Sequence, residues 1–295
     1  MKIRFWGVRG SIPTPGPDMV RYGGNTTCIE IRTDENELII LDGGSGIYPF
    51  SRSLGREKPL NAHIFITHTH WDHIHGLPFF SPLFVANNRI HIYGGYDLIT
   101  QKGIEHAVST QFQYSYFPIR EAELKARIHY LTIAAGESVW VGKTKITPVL
   151  MNHPVLNFGY RVECGEKSVF FTGDHEPYWN IYEPQEKQYE EYQSLIHRQE
   201  KVVIDGMRGV DILIADSSYT SDEYLAKKGW GHGTFDSSIH LAELAEVRDL
   251  VFTHFEPTRT DDDLDLIFSE LLKCYPRESR NFEFHLASEG RVFEL

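Results

Sequence analysis

Short apolar or alternating runs bounded by Gly, Pro, Asp and Asn recur along the chain, the pattern of strands. KIRFWGV, TTCIEIRT and ELIILDGG come first, and the polar turn Asp34-Glu35-Asn36 between the last two predicts a hairpin. HIFIT, RIHIYGG, RIHYLTI, SVWVG and TKITPVLM follow, and GYRVE with KSVFFTGD predicts a second hairpin around Cys164 to Lys167. VDILIADSS, DLVFTHFEP and NFEFHLASEG complete the strands. Helical spacing is read in HGLPFFSPLFV, DLITQKGIEHAVST, TFDSSIHLAELAEV and DDDLDLIFSELLKCY, the last capped by Thr260 or Asp261. Residues 177–209 differ in texture, with charges and Tyr, Leu and Ile at roughly helical spacing. They predict one helix within an insertion, either a solvated surface helix, a cover for a site, or a contact with a second subunit.

Strands and helices alternate, yet the hairpins argue against a purely parallel sheet. The expectation is a layered α/β sandwich, one domain over 1–295 without a linker. Three runs share an ending: IFITHTH (64–70), VFFTGDH (169–175) and LVFTHFE (250–256) each pass from apolar residues through Thr into His or Asp. Ligands collect at the carboxyl ends of strands in α/β proteins. The three ends therefore predict one shared polar site.

Charge narrows the partners. With 29 Lys and Arg against 41 Asp and Glu, the net charge of -12 disfavours long RNA or DNA, whose binding needs a basic stripe. A small anionic substrate stays open, because bound divalent ions make a pocket locally positive. Cys28, Cys164 and Cys274 are too few and scattered for a disulfide framework and are expected as reduced core residues. MKIRFWGVRGS lacks the apolar stretch of a secretory signal, and no apolar window is long enough to span a bilayer, so a cytoplasmic protein without membrane contact is expected.

THTHWDHIHG, residues 67–76, carries the chemistry. A lone His is more often a core or surface residue than a ligand. Here His68 and His70 are two apart and project to one side of an extended segment, while Asp72 and His73 follow at a turn and can reach a second ion. His68, His70, Asp72 and His73 resemble the signature of the metallo-β-lactamase superfamily. That resemblance implies a four-layer αβ/βα sandwich with a metal site at one edge of two packed sheets. It also implies further ligands: His153 in MNHPVLNFGYRVE, Asp174 in FTGD, and His254 in DLVFTHFEP. His68, His70 and His153 would hold one metal and Asp72, His73 and His254 the other, with Asp174 and a hydroxide between them. Imidazole with some carboxylate suits two Zn²⁺ ions, with Mn²⁺ or Fe²⁺ as alternatives. A histidine at position 70, where the redox branch has glutamate, points to hydrolysis.

Downstream, VDILIADSSY and GWGHGTFDSSIHLAELAEVRDLVFTHFEP resemble the phosphodiesterase branch that includes ribonuclease Z and cyclic phosphodiesterases. In that branch the His of His232-Gly233-Thr234 implies a proton donor to the leaving oxygen, oriented by Asp216. The implied reaction is attack of a metal-bridging hydroxide on a small phosphodiester, a cyclic nucleotide being one candidate, with His232 as general acid and Asp72 counted with the catalytic set. The plain alternative for His232 is a helix-capping or surface residue. Rival activities are tRNA 3′-end processing, though a Gly/Pro/Lys-rich tRNA-gripping arm is not recognisable, and lactone or ester hydrolysis. A non-catalytic binding protein fits least, since the ligand set is complete.

Other residues take blander readings. Asp42 in ILDGGSG supports the metal loops from behind. Trp71, His75, Gly76, Phe79 and Phe80 shape the loop and pack the next helix, and His175 supports the site or is exposed. Arg9 and Asn25 stabilise the N-terminal loops, and His63, His91, His106, His129, His197 and His240 receive no role. A homodimer is expected from the family and from common symmetry.

Overall fold

The structure, a computed structural model, describes residues 1–55 and 59–295. Its first half forms strands β1 (Lys2–Gly7), β2 (Cys28–Arg32), β3 (Leu38–Leu41), β4 (Asn61–Phe65), β5 (Arg89–Gly94) and β6 (Arg127–Thr132). The second half adds β7 (Val139–Val141), β8 (Thr144–Leu150), β9 (Phe158–Cys164), β10 (Lys167–Phe171), β11 (Ile212–Asp216), β12 (Asp249–Thr253), β13 (Glu283–Leu286) and β14 (Val292–Glu294). Two seven-stranded mixed sheets result, in the orders β14-β1-β2-β3-β4-β5-β6 and β13-β12-β11-β10-β9-β8-β7. Each half contributes hairpins at one side of its sheet and parallel strands at the other. Both expected hairpins, β2–β3 and β9–β10, are antiparallel pairs.

Alternation along the strands explains the layers. Ile40, Ile64 and Ile92 point outward from the first sheet onto Ile47 and Phe50 of α1 (Ile47–Ser53) and Ile104 and Val108 of α3 (Ile104–Gln111). In chain order α2 (Trp71–Ile74) falls between these two helices. Phe65 points the other way and meets Tyr160 of the second sheet edge to face at 5.4 Å. Each side chain so buried contributes roughly 1.5–3 kcal/mol. Outside the second sheet pack α4 (Tyr189–Met207), α6 (Phe235–Leu244) and α7 (Asp261–Cys274), through Val203, Met207, Phe235, Ile239 and Leu264; α5 (Ser221–Lys227) is more peripheral. The Tyr160 hydroxyl donates to the Ile66 carbonyl at 2.7 Å, which ties the inter-sheet core to the chain entering Thr67 and His68.

Several expectations change. HGLPFFSPLFV is not a continuous helix: α2 ends at Ile74 and two 3₁₀ turns follow, Leu77–Phe79 and Ser81–Phe84. Pro78 and Pro82 lack the N–H donors a longer helix would need. The helix expected from Asp97 begins only at Ile104, because the Asp97 carboxylate closes a local turn on the Ile99 N–H (2.8 Å) and the Thr100 hydroxyl (2.6 Å). Thr260, not Asp261, caps α7, accepting from the Asp263 N–H at 3.2 Å. Of the cysteines only Cys28 is a core residue; Cys274 is exposed at the end of α7. Phe80 is buried, but Trp71 and Phe79 are exposed. No helix among the described residues is long and apolar enough to cross a membrane.

Candidate metal centre

All seven expected ligands converge at one edge, beyond the carboxyl ends of the parallel-paired strands β4, β10 and β12 and of β8, which pairs only antiparallel. His68 and His70 follow β4, Asp72 and His73 lie on α2, His153 follows β8, Asp174 follows β10 and His254 follows β12. Ligand atoms of His68, His70, His153 and Asp174 lie within 4.8 Å of one another, as do those of Asp72, His73, Asp174 and His254. Asp174 belongs to both groups. Its Oδ2 is 3.5 Å from His68 Nε2 and 3.8 Å from His153 Nε2, and its Oδ1 is 3.2 Å from His73 Nε2 and 3.1 Å from His254 Nε2. Asp72 Oδ2 closes the second group at 3.2 Å from His254 Nε2.

The outer nitrogens of four of the five rings are spoken for, which fixes the nitrogen that each of these rings turns inward. His73 Nδ1 donates to Asp42 Oδ2 (2.7 Å) and His153 Nδ1 to the Gly231 carbonyl (2.9 Å). Thr67 gives its hydroxyl proton to Asp42 at 2.9 Å and so can accept from His68 Nδ1 at 3.1 Å. Ser218 Oγ lies 3.1 Å from His254 Nδ1. The inward nitrogens then face one another: His153 Nε2 is 3.1 Å from His70 Nδ1, and His73 Nε2 is 3.2 Å from His254 Nε2. His68 Nε2 and Asp174 Oδ1 are buried without any hydrogen-bond partner. Buried nitrogens meeting nitrogens beside an orphaned carboxylate oxygen are costly unless cations lie between them, so this donor set fits two divalent ions.

Asp42 and His254 have φ of 63° and 60°, strained for non-glycine residues and held by the hydrogen bonds around them. Gly10 is required at its position, since a Cβ there would come within 2.3 Å of the His254 ring. His232 sits beside the cluster. Its Nδ1 is 2.9 Å from Asp216 Oδ2 and 3.7 Å from Asp174 Oδ2, and its ring stacks on His254 at 4.9 Å. Burial disfavours its protonation, but Asp216 and Asp174 outweigh burial and push its pKa up to about 9. His75 turns away, its Nδ1 2.6 Å from the Trp71 carbonyl. His175 is buried rather than exposed, and its Nδ1 accepts from the Asn152 N–H at 3.2 Å.

Two contacts had no signal in the sequence. The Ser11 N–H donates to Asp72 Oδ2 at 2.7 Å. Glu176, almost fully buried, accepts from Tyr224 Oη (2.8 Å) and Gly229 N–H (2.6 Å) through Oε1 and from Gly231 N–H (2.9 Å) through Oε2. That carboxylate holds the loop whose next residues bind His153 and carry His232.

Residues 39–255 match the family model of the beta-lactamase superfamily domain. The chain belongs to that superfamily. Ribonuclease Z of Staphylococcus carnosus (strain TM300) is 25% identical over 340 aligned positions covering 100% of both chains. Among solved structures, the short form of human tRNase Z superposes with a TM-score of 0.64 at 19% identity, covering 100% of this chain and 99% of that one. Zn²⁺-bound PqqB from Methylobacterium extorquens gives 0.67 at 15% identity, with 100% of both chains covered. The last two similarities speak for the fold. Superfamily membership together with the buried His and Asp cluster makes the chain a metal-dependent hydrolase.

Proposed function

We propose that the chain hydrolyses a small phosphodiester, with a cyclic nucleotide as the candidate substrate, at a two-metal centre held by His68, His70, Asp72, His73, His153, Asp174 and His254. Two divalent ions bound there, zinc by the donor set, would supply the nucleophile and neutralise charge on the phosphoryl oxygens. The observation that carries the reading is the His232–Asp216 pair, 2.9 Å apart at the edge of the cluster. Asp216 fixes the ring through Nδ1, which leaves Nε2 to hold a proton for the leaving oxygen, and Asp216 is itself fixed by the Ser218 hydroxyl (2.8 Å) and the His175 N–H (3.1 Å). An alkoxide is a poor leaving group and needs that proton; an activated lactone needs it less.

The tRNA 3′-processing reading is supported by the full-length similarity to ribonuclease Z. Against it stands the net charge of -12. A panel of cyclic mononucleotides, an aryl phosphodiester, precursor tRNA, a lactone and a β-lactam, assayed with added zinc or manganese, separates the readings. Turnover of the lactone alone would remove the phosphodiesterase assignment, and precursor tRNA cleaved best would replace it with the second reading. A cytoplasmic, homodimeric enzyme belongs to the same proposal, and light scattering checks the assembly.

A further inference from the structure

A cavity of about 520 Å³ opens beside His68 and His153, on the side of the centre formed by those two ligands. The segment 177–209, singled out in the sequence for its aromatic and charged texture, supplies one wall: Tyr178 precedes α4 and Gln199 lies within it. Leu98, Leu150 and Leu156 are among the apolar residues that also line the cavity. Leu156 packs closely on the backbone of Gly95, where a Cβ would stand 2.4 Å from its Cδ2.

The charge of the lining decides what fits. It contains no Lys or Arg, and its one carboxylate, Asp97, is engaged by its own turn. An anionic group gains nothing in such a space, so the charged part of a substrate belongs at the metal cluster and a neutral part in the cavity. A purely aliphatic group would bury the Tyr178 hydroxyl and the Gln199 amide without partners; among the described residues neither side chain makes a hydrogen bond to another. Burial and the neighbouring Glu200 push the Tyr178 pKa up to about 12, which keeps that hydroxyl a donor. A flat ring with apolar faces and hydrogen-bonding edges satisfies both demands, and the volume suits one such group rather than a polymer.

We propose that this cavity receives the nucleobase of a single-nucleotide phosphodiester, with the α4 segment as the wall that selects it. The proposal rests on the phosphodiesterase reading. Its test uses the zinc-loaded full chain and compares cyclic AMP with trimethylene phosphate, the bare cyclic diester that lacks the nucleoside. Cyclic AMP is expected to have a KM lower by about ten- to a hundredfold, from burial of the base. Leu156→Trp, which fills the space, and Leu150→Asp, at a partly exposed position that tolerates charge, should each reduce that ratio by about tenfold or more. Calorimetry with adenosine, which has no phosphate, should detect binding that Leu156→Trp abolishes. Equal KM values for the two diesters, or adenosine binding unchanged in both variants, overturns the proposal. If neither diester nor an aryl phosphodiester is cleaved, the phosphodiesterase reading falls, and the adenosine titration still decides whether the cavity binds the base.

Discussion

Glu176→Gln separates the loop that carries His232 from its anchor while keeping size and shape. The carboxylate accepts three hydrogen bonds, two on Oε1 and one on Oε2. A glutamine has one acceptor oxygen, which can keep Tyr224 and Gly229, and its NH₂ group then faces the Gly231 N–H. Leaving that buried donor unmet costs about 1–3 kcal/mol. Gly231 is also the residue whose carbonyl accepts from His153 Nδ1 at 2.9 Å, so the loss falls on the orientation of one proposed metal ligand. The expected result is a roughly 10- to 100-fold weaker affinity for one of two zinc ions, about 1.4 kcal/mol per tenfold, with the other ion little affected. Competition against a chromophoric chelator measures both affinities, and thermal melting of the metal-free chain measures what is lost from stability alone. A purely architectural Glu176 would lower Tm and leave both zinc affinities at wild-type values. That outcome, with unchanged kcat, refutes the coupling.

Three further outcomes follow from the same geometry. His232→Asn should keep both metals yet lose about 10²–10⁴ in kcat on alkyl phosphodiesters, with a much smaller loss on an aryl diester that needs no proton; equal losses on the two would remove the general-acid role. Asp42→Asn weakens the grip on His73 Nδ1 and Thr67, so one zinc should bind roughly 10- to 100-fold more weakly by chelator competition. His63, pushed down to about 4 by burial and by His91 stacked on it at 4.5 Å, stays neutral in the fold at pH values where the unfolded chain takes up a proton. Stability should therefore fall as pH drops from about 6.5 to 4, by up to about 3 kcal/mol from this group. A Tm-against-pH profile of metal-free protein should be flatter for His63→Phe, and parallel profiles would contradict the assignment.

The convergence of the seven candidate ligands was legible because chain order places them there. Parallel strands deliver their ends to one edge, so apolar runs ending in THTH, TGD and TH could be assembled without coordinates. The Thr has a partner in two of the three runs: Thr67 donates to Asp42, and the Thr172 hydroxyl accepts from the Asp216 N–H at 3.0 Å, whereas the Thr253 hydroxyl is buried without one. Such strand ends repeat because each must leave a sheet and present a polar group beside its neighbour. The supports were not legible, for the opposite reason. Glu176 meets Gly231 across 55 residues and Ser11 meets Asp72 across 61, and no periodicity or spacing encodes a pair that only the tertiary fold brings together. The α4 segment shows the same limit at larger scale. Its pattern predicted a helix, and Val203 and Met207 anchor that helix in the core; Gln199, the residue that faces the cavity, differs in no sequence property from its solvated neighbours. A ligand must bear a particular donor atom, whereas a support or a specificity wall needs only a suitable side chain at the right place in space. Substitutions at Glu176, Leu150 and Leu156 therefore test what the fold adds to this centre, while substitutions at the seven clustered His and Asp residues test the metal site proposed from the sequence.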